Sequence, residues 1–524
     1  MDSSLGGRFV KVIGYDVGTT GFKAGLFDIS RSDIKFICGA VEHYPLIVLP
    51  NGGTEQNPDD WWRAMCRSTK YLLQKSGTPK EEIKGIACSA QCCTLVMVDE
   101  NGNALRPAMN IMDTRATDQH KRLFNSGLAV AGMNIPKLLQ FLKINNAAPV
   151  SSKDTVYRYN WVRENEPEIF KRTYKWLDCK DYLNARATGR MATSMDDAYV
   201  QFLMDIKTND YSKRLCDLVN VDMEHLPEIL KSTDIVGELL PGPAEELGLE
   251  PGTAVISGGT DVSMCQVGSG AILPGDVDVN SGTSGWVCTA IDTPTIDIFH
   301  SIGGLVGVTP GEYYYMADCE TAGKCMEWCK ERLSNTPFDS YDIMYSVASQ
   351  TPAGSNGVIF SPWMHGNRCP FEDANTRGVF FNVDVDNRSG DLCRAVLEGV
   401  CMHFRWLLET EEQKIKTNEV MRFTGGSAMT PLVAQILSDV TGRPVEVTEE
   451  PRQVGAQGAA VTIGIGLGVY KTTQETKDFI RVANTYTPNM KNKDVYDRIF
   501  PVFKDLYNDN KKSFAKLNAD LKMN

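Results

Sequence analysis

The chain has 524 residues, 42% of them apolar and 23% charged, a composition that excludes a disordered or fibrous protein and suits about two to four domains of roughly 150 residues. Fifty-four Lys and Arg stand against 66 Asp and Glu, a net charge of -12 without any basic run, which excludes nucleic-acid or anionic-membrane binding through bulk charge; any polyanion must be met by a local site. The 15 cysteines form no C-x-x-C pairs, Met1 to Arg8 lacks the apolar core of a leader, and the longest apolar stretch, Ala459 to Tyr470, falls short of the ~20 residues of a membrane helix, so a soluble, cytoplasmic protein with reduced thiols is expected.

In chain order, Phe9 to Ile13, Lys23 to Phe27 and Lys35 to Cys38 read as a strand meander, with Asp16-Val17-Gly18-Thr19-Thr20-Gly21 as its first turn. Asn57 as cap, Pro58 at the first position and Asp59 and Asp60 in the first turn predict a helix whose apolar face is Trp62, Cys66, Thr69 and Leu73. Ile86 to Cys88 is a buried strand leading into Gln91-Cys92-Cys93. Residues 115 to 250 read mainly as helices and loops. The segments Leu240-Pro241-Gly242-Pro243 and Glu250-Pro251-Gly252-Thr253 read as connectors, which puts a domain boundary near residue 253. The predicted division is 1–253, 254–470 and a helical tail, 471–524. The tail places Tyr496, Ile499, Phe500, Phe503, Tyr507 and Phe514 on one face, with Pro501 predicting a kink or break.

Past the boundary, the strand Ala254 to Ser257 runs into Gly258-Gly259-Thr260-Asp261. A second strand then carries Asn280-Ser281-Gly282-Thr283-Ser284-Gly285, which matches the first turn position by position. Gly/Thr turns direct backbone N–H groups and hydroxyls toward an anion. One such turn is explained by a tight hairpin alone; two, one per half of the chain, suit the phosphates of a nucleotide in a cleft between domains. Asp16 facing phosphates calls for a divalent cation, while its counterpart Asn280 is uncharged. Asp261, at a strand end facing the cleft, can take a proton from an attacking hydroxyl or simply cap its turn. Thr424-Gly425-Gly426-Ser427, between a strand and a helix, can admit a base or ribose.

Together with Gln56-Asn57-Pro58-Asp59-Asp60-Trp61-Trp62, Met112-Asp113-Thr114-Arg115-Ala116, Arg377-Gly378-Val379-Phe380-Phe381 and Arg394 to Gly399, these motifs resemble the FGGY family of carbohydrate kinases from about Val12 to Tyr470. Lys180-Asp181-Tyr182-Leu183 and Gly366-Asn367-Arg368-Cys369-Pro370 resemble its xylulokinases most. The resemblance implies an α/β fold of two ribonuclease-H-like domains, of the actin, hexokinase and Hsp70 type, closing over ATP, Mg²⁺ and a sugar. By that match Asp261 is the general base; Asp16 and Asp261 face the metal; Gly18, Thr19, Thr20, Lys23, Gly282 and Thr283 hold phosphates; Gly425, Gly426 and Ser427 border adenosine. Gln91, Cys92, Cys93, Asp113, Asp261 and Val262 then border the sugar.

Two departures concern that sugar: Cys92-Cys93 stands where xylulokinases usually carry Met-His, and Val262 where they carry Asn. D-Xylulose is the first acceptor implied. Ribulose, another ketose, an aldose, a polyol, or a non-catalytic sugar sensor stay open. A homodimer is the assembly expected of such enzymes.

Overall fold

The computed structural model describes residues 9–125, 129–130, 133–333, 338 and 340–519; Met1 to Arg8, read above for a leader, lie outside them. Strand β1 (Val10–Val17) is buried at every position except Lys11, as a strand covered on both faces must be. It forms an antiparallel meander with β2 (Gly21–Ser30) and β3 (Asp33–His43). Helix α1 (Pro58–Ser76) begins as predicted, with Asn57 Oδ1 accepting the Asp59 N–H at 3.1 Å. Its most buried stripe is Trp61, Met65, Ser68 and Leu72, one residue before the predicted face; Cys66 and Leu73 are half-buried. An apolar stripe more than ~100° wide takes in both Trp61 and Trp62, and packing against β2 and β3 sets its centre.

β4 (Ile83–Ala90) adds parallel to β1. After helices α2 (Cys179–Thr188) and α3 (Met195–Val200), strands β5 (Ile235–Glu238), β6 (Ala254–Ile256) and β7 (Gly259–Thr260) complete the sheet, in the order β5-β6-β4-β1-β2-β3 with β7 also on β4. This corrects the predicted boundary. Pro251-Gly252 is a turn just before β6, at the end of the helical connection from its antiparallel partner β5, and the chain stays in the first sheet until Thr260, where helix α4 (Asp261–Ser269) starts. Leu240 to Pro243 is likewise no connector: Pro241 opens the helix Pro241–Leu247, the one helical position where a missing N–H costs nothing.

The second sheet contains β8 (Val277–Ser281), β9 (Gly285–Ile291), β10 (Gly303–Val306), β11 (Tyr313–Cys319), β12 (Met421–Thr424), β13 (Val445–Thr448) and β14 (Val482–Tyr486). Its order is β10-β11-β9-β8-β12-β13-β14. Reading from β14 to β11, the pairings run antiparallel, parallel, parallel, antiparallel, antiparallel, the same series as from β5 to β3 in the first sheet. The duplicated turn thus marks a duplicated fold. Helix α5 (Gly323–Arg332) follows β11, and the long α6 (Ser389–Glu411) and α7 (Pro431–Thr441) share the second core.

Helix α8 (Val454–Gly466) ties the halves together. It comes from the C-terminal half yet packs with α4 on the first sheet, where Ala456, Ala459, Ala460 and Ile463 meet Val12, Phe27, Ile256 and Met264. The tail is not wholly helical, because β14 adds antiparallel to β13; its residues are almost all exposed, so no alternation announces it. Helix α9 (Met490–Asn518) runs unbroken through Pro501. Phe500 and Phe503 are buried on its inner face, Tyr496 donates to Glu398 Oε1 at 2.8 Å, and Tyr507 stacks on Phe371. Among the described residues no helix is long and apolar enough to cross a membrane.

Candidate active site

The first turn carries a carboxylate at the end of a buried strand, and its neighbours answer that charge. Asp16 is 6% exposed; Lys23, directly across the β1-β2 ladder, donates to Oδ2 at 2.6 Å, and Ser89 at the end of β4 donates to Oδ1 at 3.1 Å. Helix α8 closes the back of the carboxylate: a Cβ on Gly455 would sit 2.8 Å from Asp16 Cγ. Burial works against a charged Lys23, but Asp16 outweighs it and raises the ammonium pKa.

The carbonyls of this turn are tied back by side chains. The Tyr44 hydroxyl donates to the Gly18 carbonyl, Gln56 Nε2 donates to Thr19 O at 2.8 Å, and His43 Nδ1 lies 3.3 Å from Thr20 O. The N–H groups of Thr19 and Thr20 have no acceptor among the described residues.

In the second turn the same need is met by main chain. Gly282 O accepts the N–H of Gly323 at 2.8 Å, and Thr283 O accepts those of Ala322 and Lys324 at 3.1 Å, all at the start of α5. The N–H groups of Gly282 and Thr283 again lack an acceptor among the described residues. Asn280 Nδ2 donates to Thr424 Oγ1, which donates to the fully buried Asp278. Gly425 has φ +87°, and a Cβ there would lie 2.5 Å from Ser281 O, so a side chain is doubly excluded. Ser427 is buried with its hydroxyl 2.8 Å from that of Ser281, while a Cβ on Gly426 would meet nothing within 4 Å. Gly426 therefore presents open space beside β8 and β12, as a base or ribose site requires.

Helix α4 lies between the two hairpins. Asp261 is its first residue, with Thr260 as cap and Val262 N–H bonded to Asp261 Oδ1 at 2.9 Å. Burial, and then the charge of Asp16, push the Asp261 carboxyl up to about 7 from 3.8, against the pull of the Val262 N–H and Lys23. One turn on, the Cys265 thiol is pushed up by burial and by the charges of Asp16, Asp278 and Asp261, so groups from both hairpins converge on this helix.

On the acceptor side, Gln91 is buried in an amide triangle: its Nε2 donates to Gln56 Oε1 at 2.8 Å and Asn110 Nδ2 donates to Gln91 Oε1 at 2.9 Å. Cys92 and Cys93 are half-buried. The Cys92 thiol is pushed up by its contact with the Cys93 thiol, by burial, and by the charges of Asp261 and Asp197, so it lies within electrostatic reach of the candidate base.

Two residues expected at the sugar, Asp113 and Val262, have protein partners in the structure. Asp113 is fully buried and its oxygens are occupied by the Thr54 N–H and by Arg115, whose guanidinium also pairs with Glu55 and lies over Trp161. Asp113 therefore ties Arg115 to Thr54, and its own N–H donates to Asn110 O at 3.0 Å. Val262 packs into an apolar cluster with Cys288, Ala290 and Tyr314 of the second sheet, and contributes shape with no hydrogen bond from its side chain.

Several residues of this region escaped the sequence reading. Arg158, fully buried, donates to the carbonyls of Met109 and Asn110 and to that of Cys93. Lys180, also buried, bridges Asp181 and Asp197, while Asp178 accepts the Thr94 N–H with both oxygens. Asp196 accepts the Thr260 N–H at 2.8 Å. Lys180 stood in a quoted motif, but a paired Asp196-Asp197 usually marks a solvated surface and offered no cue.

Comparison with known proteins identifies the family. The model of the FGGY family of carbohydrate kinases, N-terminal domain, matches residues 11–268, and that of the C-terminal domain matches 277–467. A xylulose kinase of Bacillus subtilis is 28% identical over 522 residues, covering 96% of this chain and 99% of its own. Solved structures of a gluconate kinase and a ligand-bound xylulose kinase from Lactobacillus acidophilus each superpose with a TM-score of 0.85 at 25% identity. They cover 98% and 97% of this chain and 100% of their own. The chain belongs to the FGGY family of carbohydrate kinases, and is an ATP-dependent sugar kinase.

Proposed function

We propose that the acceptor is a ketopentose, D-xylulose first, phosphorylated on a terminal hydroxyl with Asp261 as general base. The observation that carries Asp261 as the base is its place, first residue of the helix between two phosphate-type turns, with its carboxyl pushed up by burial and Asp16; the xylulose kinase relatives put D-xylulose first. Asp261 accepts the hydroxyl proton as the acceptor oxygen bonds to the γ-phosphorus and the bond to the ADP oxygen breaks. The free N–H groups of Thr19, Thr20, Gly282 and Thr283 grip the phosphates. Gly426 leaves room for the nucleoside.

Asp16 and Asp261 are two carboxylates within electrostatic reach of each other, a donor set that fits a hard divalent ion. No group of three or more His, Cys, Asp or Glu among the described residues forms a complete metal cage, so phosphate oxygens and water would finish the shell of Mg²⁺. The ion would supply charge neutralisation at the phosphoryl oxygens.

Neutral acceptors are favoured over aldonates. The charges of Asp261 and Asp197 reach Cys92, that of Asp16 reaches Asp261, and two cations of the region are already paired, Lys23 by Asp16 and Lys180 by Asp181 and Asp197. Cys92-Cys93 and Val262 keep a second reading in view, a different ketose, an aldose or a polyol, because they lack the polar groups usual in xylulokinases. An ADP-release assay over neutral sugars, polyols and gluconate decides; turnover of gluconate above that of xylulose overturns the preference.

Asp261→Asn should lower kcat by about 10²- to 10⁴-fold with ATP binding kept. In the parent enzyme kcat/KM should rise with pH through about 7 as Asp261 loses its proton. The raised carboxyl carries a stability cost of the opposite sense. Its contribution is full below its unfolded value near 3.8 and is lost as pH rises through about 7, so Asp261→Asn should be the more heat-stable protein at pH 8. Near-parental turnover in that variant refutes the assignment.

A further inference from the structure

The base reaches its place because the loop before it is held from all sides, and one of those holds is a buried charge. Ser257 N–H bonds to Asp234 O at 2.9 Å, Gly258 N–H to Ser232 O at 3.0 Å, and β7 pairs with the end of β4. Asn184 Nδ2 donates to Ser257 O at 2.9 Å. The last donor before the helix, Thr260 N–H, goes to Asp196 Oδ2 at 2.8 Å, and Asp196 Oδ1 accepts the Ser232 hydroxyl at 2.9 Å. Asp196 is 1% exposed.

Resting on Asp261 as the base, we infer that Asp196 is a positioning residue for it: through the Thr260 N–H, the Asp196 carboxylate sets the start of α4 and with it the direction in which Asp261 meets the acceptor hydroxyl.

Three features support this. A carboxylate accepting a backbone N–H makes a charge-assisted bond, about twice as strong as a neutral one, and both its oxygens are used on the two segments that flank the loop. The loop is built to admit it: a Cβ on Gly259 would lie 2.5 Å from Asp196 Oδ2 and 2.6 Å from Met264 Cε, so glycine leaves the room in which the carboxylate and α4 both approach. The carboxylate is itself fixed, because Asp196 sits in the first turn of α3 beside Asp197, which the buried Lys180 binds at 2.9 Å; Lys180 also binds Asp181, whose Oδ2 accepts the N–H of Asp178, and Asp178 in turn holds Thr94 just after Cys93. One buried polar chain thus joins the loop bearing the base to the loop bearing Cys92 and Cys93. A displacement of about 1 Å at a reacting group can cost ~10²-fold in rate, so such a hold is worth a buried charge.

The test is steady-state kinetics with ATP and the best acceptor of the panel, with Tm measured on each protein. Asp196→Ala should lower kcat about 10- to 100-fold with the KM for ATP changed less than about 3-fold. Asp196→Asn keeps an acceptor oxygen toward Thr260 and a donor toward Ser232, and should retain kcat within about 3-fold. If Asp196→Ala does not fold, Gly259→Ala, which crowds the Asp196 carboxylate off the loop and also presses on Met264 of α4, should show at least the same loss of kcat. Parental kcat in folded Asp196→Ala or Gly259→Ala overturns the inference, as does an Asp196→Asn loss equal to that of Ala. Asp261→Asn run alongside separates the two claims. If that variant turns over normally, the base is misassigned whatever Asp196 does; if it is dead while Asp196→Ala is normal, only the positioning role falls.

Discussion

The two hairpins occupy the same place in two copies of one sheet, yet they handle charge in opposite ways. In the first, Val17 pairs with Phe22, which leaves Gly18 to Gly21 as the loop and sets Lys23 across from Asp16. In the second, Ser281 pairs with Gly285, the loop is shorter by one residue, and Trp286 stands across from Asn280. The shorter loop sets Trp286 across from Asn280, and the residue that aligns with Lys23 is Val287, so neither register offers the second hairpin an ion pair. The Asn280 amide is held through Thr424 by the buried Asp278, so its neutrality is structural. On the proposed reading the first hairpin faces a cation and the base, the second phosphate alone.

Breaking the first side of that contrast should have the largest effect. Asp16→Ala should lower kcat by about 10²- to 10³-fold, the range for losing one preorganised electrostatic contact to a transition state. Asp16→Asn isolates the charge: with that charge gone Asp261 is pushed up less, so whatever activity survives should have its acidic limb below pH 7. A limb that stays at about 7 would show that burial alone sets the base. Making the second hairpin like the first should cost less. Asn280→Asp places a carboxylate by the phosphates with no lysine opposite and with Asp278 behind Thr424, and should raise the KM for ATP about 10-fold, equivalent to ~1.4 kcal/mol, with kcat little changed. An unchanged KM would mean that the second turn does not touch the nucleotide.

The contrast was half legible in the sequence. Asp16 and Asn280 could be aligned because Gly/Thr turns impose their residues locally, and the α1 cap was readable for the same reason: Asn57, Pro58 and Asp59 interact within one turn of chain. The pairing of Asp16 with Lys23 depends on where each hairpin closes, which similar motifs do not reveal. Long-range partners were less visible still. Asp196 reaches Thr260 across 64 positions and Arg158 reaches Cys93 across 65, and nothing near either residue announces the bond. Pro251-Gly252 misled because a turn between a helix and a strand of one sheet uses the same residues as a linker between domains. The strand Val482–Tyr486 was hidden because an exposed edge need not alternate.

The mildest change addresses how each turn is held. The first turn's carbonyls rest on Tyr44, Gln56 and His43, the second's on the N–H groups that open α5. A side-chain hold can be removed singly; a main-chain hold cannot be mutated away. Tyr44→Phe keeps the ring, which is 7% exposed, and deletes only the hydroxyl that donates to Gly18 O and, at 3.3 Å, to Gly21 O. A net hydrogen bond is worth about 1 kcal/mol, so the first turn should loosen enough to raise the KM for ATP about 5-fold, with Tm lowered slightly and kcat retained. Gln56→Leu would be a poorer probe, since Gln56 also receives Gln91 and Asn110 and its loss would disturb the acceptor wall. If Tyr44→Phe leaves the KM for ATP unchanged while Asn280→Asp raises it, the nucleotide is gripped by the main-chain turn and the first hairpin serves the metal and the base alone.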